Sequence, residues 1–594
     1  MSASGGDPND DSEAWNMRFG LFYEHQLPRP WEEDAEANLL RDALEQVELA
    51  DRLGFDHVWE VEHHFLEEYS HSSAPEVFLA AASERTRRIR LGHGIVQLPP
   101  GYNHPARVVE RIATLDLVSG GRVEFGTGES SSQMELGGFG VSRADKRDQW
   151  EEALDAITRM FVEDPFAGYD GRWIRMPPRN VVPKPFQKPH PPLWMACSRR
   201  DTIVLAATKG LGALSFSFVE PEDAKQWVDA YYEVLASERC VPAGFSVNPN
   251  VAVVVPFLCH QDEETAIERG IDGGHFFGYS LAHYYVFGQH RPGHTRVYEE
   301  FERNRAAYGF ARELIRAENA PLGVRLLQQE LGSLRGAVGT PSQVADLCAR
   351  YEAAGVDEVI FVSQAGRNRH EHICESLELF GKEVLPRFAE EADERDAQKR
   401  ERLAEAVDRA LGRREPARTA DPTYLVTSQG ELDAAPSAVL AGTPEAGASV
   451  RPAGARERLR RRGEEAFRKV LAGRTDRQIE RIIGSRIGMR AVFRGVQRAF
   501  HPDRAQGFQG DIQYVLEGSR ESFRWVVRVQ DGRAVAGPGS AQAPAVTLRM
   551  SVPTFGRILS QELQPGLALM EGKLGIEGDH TVAARIGYIF APED

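Results

Sequence analysis

The chain has 594 residues, too many for one ordinary domain, and its 42% hydrophobic and 27% charged residues make a globular composition rather than a disordered one. A formal net charge of −17 excludes a general nucleic-acid binder, which needs a basic face, but leaves room for a local pocket that holds one phosphate. The five cysteines (Cys197, Cys240, Cys259, Cys348, Cys374) are scattered and form no C-x-x-C pair, so neither a disulfide framework nor a zinc site is expected.

Residues 1–16 are small, polar and acidic; they lack the basic start and apolar stretch of a signal peptide and read as a disordered tail. No run approaches the roughly 18 apolar residues of a spanning helix, and a cytoplasmic protein without a transmembrane segment is expected. From 17 to 389, short apolar runs alternate with amphipathic stretches. Strands are predicted at 17–23, 57–61, 89–98, 122–127, 192–197, 213–218, 251–259 and 358–363. They are rich in Val, Ile and Phe, and several are apolar throughout, as parallel strands covered on both faces are. Helical stretches lie between them, such as 39–54, where Leu40, Leu44, Val47 and Leu53 recur near helical spacing and Gly54 supplies a stop.

Eight strands separated by helices predict an α/β fold, a closed (β/α)8 barrel. An open doubly wound sheet is the competing reading, but no strand here runs into its G-x-G-x-x-G dinucleotide turn. Residues 271–335 are too many for one loop, and HFFGYSLAHYYVFG within them predicts a helical insertion or lid. Residues 390–456 read as a charged helix followed by a flexible linker rich in Ala, Pro, Gly, Ser and Thr. Residues 457–594 return to ordered patterning, with strands GDIQYVLEGS, FRWVVRVQDGRAVAG and AVTLRMSV, a hairpin turn at Asp531-Gly532, then a helical segment and a final strand.

Three constellations carry chemistry. Glu62, His63 and His64 end the second strand, where a barrel's mouth forms; they either exchange protons near neutral pH or support the loop as hydrogen-bonded residues. His63, His64, Glu67 and His71 have no recognised ligand spacing, so no metal site is expected. Ser198-Arg199-Arg200-Asp201-Thr202 opens a helix after the fifth strand, which suits a phosphate or, alone, an N-cap with surface arginines. In GRVEFGTGES the glycines allow close backbone approach, leaving Thr127, Gly128 and Ser130 as cofactor contacts, whereas Glu129 cannot cradle a phosphate. Gln97 and Asn103 either hydrogen-bond a cofactor edge or satisfy a loop, and Tyr284, Tyr285 and Phe287 either wall an apolar pocket or simply pack.

In chain order, MRFGLF, EHH, SAPEVFLAAASERTRRIRLGHGIVQLP, NHPARVVERIATLDLVSGGRVEFGTG and PPLWMACSRRDTIVLAATKGLG resemble the bacterial luciferase-like monooxygenase family. The stretch 73–99 is most similar to its terpene-oxidising branch, that of limonene monooxygenase. The resemblance implies a TIM-like barrel using reduced FMN from a separate flavin reductase. Dioxygen then gives a flavin hydroperoxide that oxygenates a hydrophobic small molecule. It implies His63 as acid/base, with His64 supporting it or contacting substrate or flavin, and Ser198 with Arg199 or Arg200 at the flavin phosphate, beside the helix-start hydroxyl of Thr202. Many relatives carry Arg where this chain has Glu129, and luciferase-like barrels often form homo-oligomers. Two alternatives stay open: a sister branch that moves hydride with a deazaflavin coenzyme, and a barrel without catalysis that acts as a lipid-binding scaffold.

From about 463 to the end, LEGSRESFRWVVRVQDGRAVAG, APAVTLRMSVPTFGRIL and LQPGLALMEGKLGIEGDHTVAARI resemble a sterol-carrier-protein type 2 domain. That resemblance implies an α+β fold enclosing an apolar tunnel for lipids or other hydrophobic ligands. Met550, Phe555, Leu559, Leu563, Leu567 and Met570 either line such a tunnel or form an ordinary core.

Overall fold

A computed structural model describes residues 17–216, 220–305, 335–389, 392–427, 430–432 and, with short gaps, 471–590. The predicted tail 1–16 lies outside the described residues. The chain divides into two compact units, 1–441 and 442–594.

The first unit is built on eight parallel strands: β1 Arg18–Tyr23, β2 His57–Glu60, β3 Arg90–Gln97, β4 Val123–Gly128, β5 Leu193–Cys197, β6 Gly212–Ser215, β7 Val251–Cys259 and β8 Glu358–Val362. Each pairs with the next. β1 meets β8 through Arg18↔Glu358, and β7 pairs with both β6 and β8, so the ring closes. Covered inside and out, β7 is buried at every position, and this erases the alternation of a half-exposed strand. A short strand, Ala337–Gly339, extends the sheet beside the end of β7; three residues are too few for a pattern to reveal.

The connecting helices are α1 Ala35–Leu53, α2 Pro75–Arg85, α3 Pro105–Val118, α4 Gln133–Gly138, α5 Lys146–Val162, α6 Arg200–Thr208, α7 Pro221–Ala236, α8 Glu263–Ala282, α9 Val297–Asn304, α10 Pro341–Ala353 and α11 His370–Glu383. α1 stops at Gly54, whose φ of 103° is left-handed and whose N–H donates to the Ala50 carbonyl at 3.0 Å.

Two tryptophans fill the lower barrel. Trp59 and Trp194 meet edge to face at 5.3 Å, and a Cβ at Gly92 or Gly212 would sit 2.2 or 2.4 Å from an indole. Their N–H groups donate to the buried carboxylates of Glu358, at 2.8 Å, and Glu124, at 2.6 Å. Helix α12, Ala392–Leu411, packs on this N-terminal end: Lys399 binds Asp357 and Asn250, and Arg18 pairs with Asp396. The opposite end stays available for chemistry.

The insertion is helical. α8 runs into a π-helical turn, His283–Phe287, and α9 follows; residues 306–334 lie outside the described ones. Part of the stretch read as flexible linker is ordered, and residues 433–456 of it lie outside the described ones. Residues 415–427 dock on the barrel through Arg159–Glu415, Arg418–Glu163 and Arg179 donating to the Tyr424 hydroxyl, and a short antiparallel pair joins 425–427 to 430–432. These are ionic anchors, which apolar periodicity does not register.

The second unit holds a five-stranded sheet: β9 Gly510–Glu517, β10 Ser522–Gln530, β11 Arg533–Pro538, β12 Val546–Ser551 and β13 Leu574–Gly578, in the order β11-β10-β9-β12-β13. Only β9–β12 is parallel. Asp531 and Gly532 both take positive φ, 51° and 68°, as a two-residue hairpin turn requires. Helices 476–483, 486–498 and 552–559 cover one face; Phe493 stacks on Trp525 at 4.6 Å and on Phe555 at 5.7 Å. Met550, Phe555 and Leu563 are buried in that core, with Leu559 packed against it; the side chains of Leu567 and Met570 lie outside the described residues.

Candidate active site at the open end of the barrel

Parallel strands deliver all their C-terminal ends to one face, so the loops after β1, β2, β4 and β5 converge there. The loop after β2 is fixed from both sides: His63 N–H donates to Ser72 O at 2.8 Å and Glu62 N–H to Ile95 O at 3.1 Å. Phe65 and Glu67 take positive φ of 66° and 37°, a backbone held by its surroundings.

Two carboxylates flank the His63 ring. Nδ1 lies 2.9 Å from Glu135 Oε1, and Nε2 lies 3.7 Å from Glu24 Oε1. Glu135, on α4, is fully buried; it also accepts from His64 N–H at 3.0 Å, Gln97 Nε2 at 2.8 Å and Ser130 Oγ at 2.6 Å. Glu24, just past β1, accepts from the Tyr69 hydroxyl at 2.8 Å. Burial alone would depress the His63 imidazole, but the charges of Glu24 and Glu135 outweigh it and raise it to about 9. Burial likewise pushes Glu24 up to about 7, while the His63 charge pulls the other way. Glu135 stays below the usual carboxylate range despite burial, held there by His63, Ser130 and the His64 amide. The two flanking carboxylates thus favour the protonated form of the ring.

Glu62 does not touch His63. Its carboxylate accepts from His64 Nε2 at 3.2 Å, Asn103 Nδ2 at 2.8 Å and the Gln97 amide at 2.7 Å. Asn103 Oδ1 accepts from Arg111 at 2.6 Å, so Asn103 and Gln97 brace the two glutamates. Thr127 is fully buried and spends its hydroxyl on Trp194 O and Trp150 Nε1, and the bare Cα of Gly128 faces Ile95. Of that trio, only Ser130 reaches the network.

The π-helical turn brings Tyr285 over the mouth, its hydroxyl 3.5 Å from His63 Nδ1, and Tyr284 packs 6.2 Å from Tyr69. The side chain of Phe287 lies outside the described residues. Two consecutive carboxylates staple this segment down: Glu67 pairs with His290 and Arg29 and accepts from Gly293 N–H, while Glu68 accepts from the amides of Val297 and Tyr298.

Ser198, Arg199 and Arg200 are exposed at the start of α6, directly after β5. Thr202 caps that helix, bonding Arg199 N–H at 3.1 Å and its carbonyl at 2.7 Å. Lys146 and Arg147, which open α5, add two cations that sequence reading passed over, since they are 16 or more residues from the Gly-rich turn. β4 and β5 pair side by side up to Thr127↔Met195, so the turn after β4, whose Glu129 binds Lys146 and Arg147, adjoins the strand that runs into Ser198 and Arg199. Glu24 and Glu135 were also missed; each is an isolated acid far along the chain from His63.

Residues 17–358 match the luciferase-like monooxygenase family, and residues 494–591 the SCP-2 sterol transfer family. Limonene 1,2-monooxygenase of Rhodococcus erythropolis is 42% identical over 146 residues, 24% of this chain and 36% of that protein. The oxygenase component of flavin-dependent trigonelline monooxygenase of Acinetobacter baylyi is 24% identical, over 63% of this chain and 96% of that protein. Of other curated relatives, the chain spans about half the length. The crystal structure of monooxygenase RslO1 from Streptomyces bottropensis superposes with a TM-score of 0.50 at 25% identity, covering 63% of this chain and all of that one.

Proposed function

Because this chain belongs to the luciferase-like monooxygenase family, we propose that it is the oxygenase component of a two-component flavin-dependent monooxygenase acting on a hydrophobic small molecule. The observation that carries the reading is His63, held as an imidazolium by Glu24 and Glu135 at the open end of the barrel. Bound reduced FMN would supply the activation of dioxygen; the protein's task is to orient it, exclude water and manage protons.

The residues fit that cofactor. Glu24 Oε2 and Gln97 Oε1 are buried beside His63 with no partner among the described residues, acceptors suited to the N–H groups of a reduced isoalloxazine. Ser198, Arg199 and Arg200, with Lys146 and Arg147 beside them, offer cations for its phosphate. His63 Nε2 carries the transferable proton, Glu24 is its exchange partner, and Glu135 holds the ring through Nδ1. The insertion around Tyr284 and Tyr285 covers the mouth and walls the substrate.

A separate reductase would supply the reduced flavin, the arrangement that the name of the trigonelline relative's oxygenase component implies for that enzyme. The second unit would bind the hydrophobic substrate or product, and its tether raises the local concentration near the barrel. All five cysteines are free thiols, which supports a cytoplasmic site of action; among the described residues no helix is long and apolar enough to cross a membrane.

The test is reconstitution with FMN, NADH and a flavin reductase on an apolar terpenoid. Oxygen uptake with a product heavier by one oxygen atom is expected. Anaerobic turnover with a reduced deazaflavin coenzyme instead would refute the oxygenase reading. Undiminished free-flavin fluorescence after incubation with the chain would point to a barrel without catalysis.

A further inference from the structure

The turn after β4 places an acid among the cations of the phosphate region. Glu129 Oε1 accepts from Arg147 Nη2 at 2.8 Å and lies 3.3 Å from Lys146 Nζ. Its other oxygen is buried without a partner among the described residues. The Glu129 and Lys146 side chains are only 18% and 14% exposed, so salt screens their attraction weakly. Lys146 also holds the turn itself, donating to Ser130 O and to Ser131 Oγ. Glu129 thus engages both Lys146 and Arg147 at the turn after β4, the strand paired with the one that leads to Arg199 and Arg200. On the β5 side, the nearest acid to Arg199 is Asp201 at 3.9 Å, both side chains being largely exposed.

We propose that Glu129 is an internal competitor for the cofactor phosphate. Its carboxylate occupies the Lys146–Arg147 pair, so an incoming phosphate must displace it or bind under its repulsion. This rests on the reading of a phosphate-bearing flavin given above and deepens it. Glu129 sets the affinity for the phosphate end while leaving the isoalloxazine contacts near His63 untouched. A weakened grip suits a cofactor that arrives reduced from another protein and leaves oxidised, since tight retention would slow that exchange.

Titration of FMN and of riboflavin into the full chain, followed by flavin fluorescence, tests this directly. Glu129→Gln and Glu129→Ala are each expected to tighten FMN by about five- to tenfold, the scale of one shielded charge contact. Riboflavin, which lacks the phosphate, is expected to stay within about twofold. Glu151→Gln, one turn along α5 and paired with Lys209, removes a nearby charge without touching the cation pair and should leave FMN binding unchanged. Equal or weaker FMN binding in both Glu129 variants overturns the competition and makes Glu129 a positioning group for Lys146 and Arg147. An equal gain in Glu151→Gln overturns it as well, because net charge alone would then explain the effect. If neither flavin binds wild type or any variant, the cofactor reading fails, and the competition with it.

Discussion

His63 illustrates how a common residue acquires an uncommon state. A lone imidazole in a buried pocket is neutral, but two carboxylates, one against each ring nitrogen, reverse that outcome. His63→Ala is expected to retain FMN binding and to lower product formation by about 100-fold, the scale of lost acid/base assistance; near-wild-type turnover would remove His63 from the mechanism. The folded-state shift is upward, from 6.5 to about 9, so the stability it contributes is complete below pH 6.5 and disappears as pH rises through about 9. Thermal unfolding of wild type should therefore fall across that window, and His63→Gln should flatten the decline. Glu135→Gln should bring the shift back toward 6.5, read as a lower alkaline limit of activity.

At the scale of elements, α12 shows how an exposed-looking helix becomes part of the barrel. Lys399 is nearly buried and meets Asp357, which also accepts from the Val251 amide and the Tyr232 hydroxyl. Asp357→Asn leaves that ammonium buried without its anion and should cost about 3 kcal/mol, measured as a lower urea midpoint. Lys399→Met should cost less, because Asp357 keeps its two neutral donors. The eight barrel strands were legible because continuous Val, Ile and Phe runs between helical patterns have few other uses, and EHH was legible because its residues adjoin in the chain. The partners of His63 were not. Glu24 and Glu135 lie 39 and 72 residues away, and only the pairing of β1 with β2 and the fold of α4 bring them to one imidazole. The docking of residues 415–427 escaped for a related reason, since Glu415 and Arg418 find their partners across the fold rather than at helical spacing.

At the scale of the whole molecule, each unit has its own core, and the second has aromatic stacking around Phe493 independent of the barrel. If the second unit carries hydrophobic ligand, mass spectrometry of organic extracts of the purified chain should recover an apolar molecule that a chain ending at 441 lacks; identical extracts from both would count against the carrier role. The paired anchors Glu67 and Glu68 have an evolutionary consequence. They fasten the roof of the cavity to the same loop that carries His63. Grafting a foreign segment there would therefore loosen His63, and relatives that adopt new substrates should diverge by exchanging side chains such as Tyr284 and Tyr285 while keeping these fasteners and the length of the segment between them.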